Sequence, residues 1–186
     1  MTEFHDLMID VESAGKGATG ALMSIGAVFF NYTNECVLGP TFNKVIHLAT
    51  SVRDGGTMDP STFLWWMRQS QEARFAVAFG GGEVREVLAE FTKFIEETST
   101  VKDVRPWGNS PKFDMQKIEH AYKGARLPVP WHFTNERCFR TVRCLHAHVV
   151  YDPKEKGTGN HNALDDAIFQ AKHLFKIRNY RKAPNA

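Results

Sequence analysis

The stretch that most constrains this chain is Leu7-Met8-Ile9-Asp10-Val11-Glu12-Ser13. An apolar run ends in two carboxylates separated by one residue, which reads as an inner strand of a sheet delivering two acids to one spot. Residues i and i+2 of a strand point to the same face. Asp10 and Glu12 are therefore expected to project side by side, with Val11 on the opposite face. Two carboxylates held this way repel each other unless something cationic sits between them. A hard divalent metal with oxygen ligands is the simplest such partner.

The totals bound the rest. With 186 residues the chain is expected to form a single domain, residues 1–186, ending in a short basic C-terminal tail. That length can bury a proper core without staples. A composition of 42% hydrophobic and 24% charged residues is that of a globular protein, which argues against disorder. The net charge of +2 is too close to zero to imply nucleic acid, so only a local basic patch could do so. The three cysteines, Cys36, Cys138 and Cys144, form no C-x-x-C pair. They fit a reducing compartment and argue against a disulfide framework or a cysteine zinc site. No apolar run is long enough to span a membrane. The first six residues show no basic and then apolar leader, so a cytoplasmic location is expected.

Strands are predicted over residues 4–10, 22–30 and 40–48, joined by a glycine-rich loop at 13–20 and a turn at 31–34, as an antiparallel meander. The loop is not a P-loop, because no Gly-Lys-Ser/Thr opens a helix after it. Asp59-Pro60 signals a helix start, with Asp as N-cap and Pro at the first helical position, and the helix runs to Met67. A second helix over 72–79 is broken by Gly80-Gly81-Gly82. The clearest amphipathic helix is 83–97, where Val84, Val87, Leu88, Phe91, Phe94 and Ile95 recur at helical spacing. A short strand at 101–107 leads through Gly108-Asn109-Ser110-Pro111 into a helix carrying Asp114. Residues 133–148 read as strand, turn and helix, 152–160 as a polar loop, and 161–180 as the last helix, followed by Arg181 and Lys182. A meander followed by alternating helix and strand predicts an α/β fold with a mixed central sheet flanked by helices.

Asp10-Val11-Glu12, then Asp114 in Asn109-Ser110-Pro111-Lys112-Phe113-Asp114, then His161-x-Ala163-x-x-Asp166 resemble the three exonuclease motifs of the DEDDh superfamily of 3′–5′ exonucleases. The resemblance runs in the family's order over nearly the whole chain, and it implies a ribonuclease H-like fold. Trp65-Trp66-x-x-Gln69 and Arg140-Thr141 are similar to the RNase T-like, prophage exodeoxyribonuclease VIII-like group. The resemblance implies Asp10, Glu12, Asp114 and Asp166 as ligands of two Mg²⁺ or Mn²⁺ ions, and His161 as general base. The expected activity is removal of nucleotides from the 3′ ends of single-stranded DNA or RNA. The chemistry agrees, since two ions can stabilise both attacking and leaving oxygens of a phosphodiester, and an imidazole titrates near neutral pH. The resemblance further implies that Ser13, Ala14 and Met23 border the terminal nucleotide, and that a homodimer is a possible assembly.

The helical period poses one conflict. Residues four apart share a face while residues five apart do not, so geometry alone pairs His161 with Asp165. Asp166 becomes the ligand if His161 sits on the loop just before the helix. Trp65 and Trp66, as helix neighbours, cannot both face the core. One is expected to be core, and the other, with Trp66 chosen as the substrate contact, to stack on a base. Arg140, with Arg137, Arg143, Lys112 and Lys117, is a candidate basic approach for the phosphate backbone, against the plainer reading of a solvated charged face. His146 and His148 alternate like a metal pair but lack a third ligand nearby. Each acid alone is an ordinary strand-end or helix-start carboxylate, and only the full set carries the reading. The competing classes are a non-catalytic nucleic-acid-binding module of the same fold and an endonuclease of the ribonuclease H-like fold.

Overall fold

The computed structural model describes residues 4–31, 36–110, 112–152 and 161–180. Part of the expected turn at 31–34, most of the polar loop at 152–160, and Arg181 and Lys182 lie outside them. Five strands form one sheet: β1 (Asp6–Ser13), β2 (Leu22–Asn31), β3 (Val37–Val45), β4 (Arg105–Gly108) and β5 (Arg137–Cys138). Their spatial order is β3-β2-β1-β4-β5. The first three strands are antiparallel neighbours, whereas β4 pairs parallel with β1, and β5 parallel with β4. This is the mixed α/β arrangement of the ribonuclease H-like fold.

β1 and β2 are central strands and are buried along almost their whole length. Alternation, interrupted by a bulge near Leu22, splits their side chains between two cores. Leu7, Ile9 and Val11 point into the larger core, with α4 (Val84–Thr98) and α5 (Asp114–Gly124) packed over it. There α4 lays Phe91 and Phe94 on the Phe42 ring at 5.0 and 5.5 Å. Met8 points the other way, into a second core closed by Phe139 of α6 (Phe139–Leu145) and by Ala167, Ala171 and Leu174 of α7 (Ala163–Asn179). Asp10 and Glu12 lie in phase with Met8 and therefore on the α7 side.

The helix boundaries follow their caps. Asp59 accepts from the Thr62 N–H at 3.0 Å and Pro60 opens α2 (Pro60–Met67), while Ser70 accepts from the Ala73 N–H to start α3 (Gln71–Ala78). α1 (Leu48–Arg53) has no counterpart among the expected elements. It has no acid in its first turn and no side-chain cap, and tertiary bonds hold it: His47 N–H donates to Gly82 O, and Thr50 Oγ1 accepts from Val84 N–H. Several strand ends shift from expectation. β1 runs on to Ser13 past both acids, and β3 covers Val37–Val45 rather than 40–48. Residues 101–103 form a turn closed by Thr100 and Asp103, so β4 starts only at Arg105. Among the described residues no helix is long and apolar enough to cross a membrane.

Candidate active site

At the end of β1 the strand alternation brings Asp10 and Glu12 to the face covered by the start of α7. What lets that helix come close is Gly26 on β2, the register partner of Asp10. A Cβ there would lie 2.1 to 2.6 Å from backbone atoms of Ala163 and Leu164, so α7 rests directly on the strand. The helix is capped by Asn162, whose Oδ1 accepts from the N–H groups of Leu164 and Asp165 at 3.1 and 3.3 Å. Helix begins at Ala163, so His161 lies just before it, in a left-handed conformation with φ +64°. The conflict over spacing dissolves. His161 is not on the helical wheel, and Asp166, one turn in, turns towards β1.

Among the described residues the structure groups Asp10, Glu12 and Asp166, each offering one oxygen within 4.8 Å of the others. Glu12 and Asp166 are buried and Asp10 is half-buried. Burial first, and then the charges of Asp114, Glu12 and Asp166, hold Asp10 well above the usual carboxylate range. One hydrogen bond works against this: Gln170 Nε2 donates to Asp10 Oδ1 at 2.8 Å. Carboxylates this crowded form an oxygen-only set suited to a hard divalent cation.

The fourth acid is near but not in the group. Asp114 is 1% exposed, at the first turn of α5. Its Oδ2 accepts from the Asn109 N–H at 2.8 Å. Burial raises its pKa to about 6, opposed by that hydrogen bond, by the Lys117 charge and by the Val11 N–H. Lys117, expected on a basic approach, is instead fully buried. Three residues after Asp114 on α5 it turns inward, with its Nζ 3.1 Å from the centre of the Phe113 ring and no hydrogen-bond partner among the described residues. Burial lowers its pKa to about 8, against the pull of Asp114.

A cavity of about 360 Å³ opens over the acids. Asp10, Glu12, Asp166, Ser13 and His161 line it, with Lys16, Thr62, Trp65, Trp66 and Phe113 among its other walls. Trp66 is the core member of the tryptophan pair: it is buried, and its Nε1 donates to Ser13 O at 3.1 Å. Trp65 is 40% exposed. Beside this cavity lies an almost wholly apolar one of about 190 Å³, lined by Ala14, Met23 and Trp66 together with Leu48, Phe63 and Val77. Arg140 is exposed on α6 and lines neither cavity. Sequence reasoning passed over Gln170, although it stands four residues after Asp166 and so on the same helical face. It also missed Gly26, for which the only signal was a glycine inside a strand pattern.

The fold has counterparts in known structures. Cell-death related nuclease 4 (CRN-4) aligns at a TM-score of 0.62 and 12% identity, over 94% of this chain and 63% of that one. E. coli Exonuclease I in complex with a dT13 oligonucleotide aligns at 0.64 and 15% identity, over 94% of this chain and 41% of that one. The nuclease domain of 3'hExo, a DEDDh family member bound to rAMP, aligns at 0.57 and 11% identity, over 93% and 90%. At such identities the likeness is one of fold, and the chain spans less than two thirds of the first two proteins. None of the curated proteins matches the sequence. A family match extends over residues 5–178, from the start of β1 to the end of α7, and is described as the 3'-5' exoribonuclease Rv2179c-like domain. The chain belongs to this Rv2179c-like family, described as one of 3'-5' exoribonucleases.

Proposed function

We propose that the chain is a divalent-metal-dependent exonuclease, folded as one domain, that removes nucleotides from the 3′ end of single-stranded nucleic acid. The observation that carries this is the meeting of Asp10, Glu12 and Asp166 within 4.8 Å, in a cavity whose wall includes His161. Asp10, Glu12 and Asp166 would hold the metal, with Asp114 the fourth carboxylate behind them. When bound, divalent cations supply positive charge to the attacking and leaving oxygens of the phosphodiester. His161 accepts the proton of the attacking water at an imidazole nitrogen, a general-base role that imidazole commonly fills. Ser13, Ala14, Met23 and Trp66 take the terminal nucleotide. The cavity beside the acids is nearly all apolar, with Arg74 its one charged lining residue, which suits the face of a base more than its edge. Arg140, exposed on α6, serves the phosphate backbone further along the strand.

The family is described as exoribonucleases, which favours RNA, while the aligned Exonuclease I holds a DNA oligonucleotide. Both substrates therefore belong in the assay. Trp65-Trp66-x-x-Gln69 supports kinship with the RNase T-like, exodeoxyribonuclease VIII-like group, and a homodimer is the assembly we propose on that basis. The test uses RNA and DNA oligonucleotides labelled at either end, with Mg²⁺ or Mn²⁺ and with EDTA. Metal-dependent, stepwise shortening from the 3′ end is expected. Asp10→Ala and Asp166→Ala should abolish it in folded protein, and His161→Ala should slow it with little effect on metal binding. Binding without turnover, or cuts inside a circular substrate, would reject the proposal.

A further inference from the structure

We propose that Trp65 is a positioning residue that holds the His161 imidazole in the wall of the catalytic cavity. The inference rests on the reading of His161 as general base, and it concerns how that base is kept in place. His161 stands at a joint with φ +64°, one of two non-glycine residues with positive φ among those described. Side chains other than glycine adopt that conformation at an energetic penalty, so its retention calls for contacts that favour it. The ring contacts are specific. The His161 ring meets Trp65 edge-to-face, with centroids 4.6 Å apart and planes at 82°. It meets Trp66 more distantly, at 6.2 Å and 73°.

The two indoles form a bracket. Trp66 is buried and tied by its Nε1 to Ser13 O, at the end of the strand that carries Asp10 and Glu12. Trp65 leans on Trp66 at 5.0 Å, with planes at 80°. His161 leans on Trp65. The imidazole is thereby referenced to β1 as well as to its own backbone at the head of α7. A core role does not account for Trp65, since it is 40% exposed and lines the cavity. Neighbours on a helix diverge by about 100°, so the adjacent pair can place one ring in the core and the other over the cavity. The Trp65–Trp66 doublet does this on α2.

The experiment reads the contact and the chemistry separately. The resonances of the His161 ring are assigned in metal-free protein by their loss in His161→Asn. Trp65→Leu is then compared with Trp65→Phe. The ring current of Trp65 shifts the His161 protons in wild type. In Trp65→Leu that shift should collapse, while the other seven histidines stay in place as the control for folding. Cleavage should lose about three- to tenfold in kcat, the scale of one aromatic contact, with KM for the oligonucleotide nearly unchanged. Trp65→Phe should restore most of both. An unmoved His161 resonance in Trp65→Leu overturns the proposal. So does a rise in KM at constant kcat, which would make Trp65 a stacking face for substrate. If wild type proves inactive while the resonance still moves, the nuclease reading fails and the positioning of the imidazole stands.

Discussion

Gln170 and Lys117 illustrate how much of the site lies outside the acids. Gln170 is 2% exposed, and it gives Asp10 a neutral donor in a place where another charge would add to the crowding. Gln170→Leu should lower the stability of the metal-free protein by about 1–3 kcal/mol, the range for a buried hydrogen bond to an ionisable group. Calorimetry with and without Mg²⁺ should show part of the loss recovered by metal. The Lys117 charge works to lower the Asp114 pKa against burial. Lys117→Met therefore should move the Asp114 pKa upward from about 6, as read by carboxyl ¹³C titration. An unchanged or lower value would show that the backbone N–H groups of Asn109, Val11 and Asp114 alone hold the carboxylate.

At the level of elements, the site is a meeting of β1 with the head of α7, and Gly26 decides the distance. Gly26→Ala would set a methyl 2.1 Å from Leu164 N and so push the helix away. Overpacking of this kind destabilises by about 1–3 kcal/mol. The larger effect is expected on the metal, because Asp166 moves with the helix while Asp10 and Glu12 stay on the strand. Titration calorimetry with Mn²⁺ should show weakened binding in protein that remains folded. Asn162→Ala removes the cap and should cost about 1 kcal/mol of stability, with a smaller effect on metal binding than Gly26→Ala.

For the molecule as a whole, crowded acids make stability depend on pH and metal together. The folded-state pKa of Asp10 is raised by burial and neighbouring carboxylates, and that of Asp114 is raised to about 6 by burial. Between the unfolded carboxylate range near pH 4 and these values, the folded protein binds more protons than the unfolded chain. Stability of the metal-free protein must then fall as pH rises through that window, by on the order of 3 kcal/mol for Asp114 alone. Glu119 adds the same sign, since burial and then its hydrogen bond with Glu136 raise it to about 7. Thermal melts at pH 5 and pH 8 in EDTA should show the higher midpoint at pH 5. Saturating Mg²⁺ should raise the midpoint at pH 8 and narrow the gap, adding about 2.7 kcal/mol at a hundred times its Kd. A midpoint that rises with pH in EDTA would mean that the acids are not crowded in solution.

What could be read from residues alone was what depends on short-range geometry. The i, i+2 alternation placed Asp10 and Glu12 on one face, Asp59-Pro60 and the 3.6 period marked α2 and α4, and the order of motifs pointed to the superfamily and its fold. The two-residue β5 and the capless α1 were not legible as such, because the first exists only through its pairing with β4 and the second through bonds to Gly82 and Val84. The site divides the same way. Residue types and spacing nominate four acids and a histidine, but they cannot say which side chains share a point in space. Long-range packing decided that Asp10, Glu12 and Asp166 converge while Asp114 is held by backbone N–H groups beside a buried Lys117. It also decided that Trp66 is core and Trp65 meets His161. A chain's local preferences act over a few residues, whereas the distance from Asp10 to Gln170 or from Trp65 to His161 is set only when β1, α2 and α7 close on the same sheet.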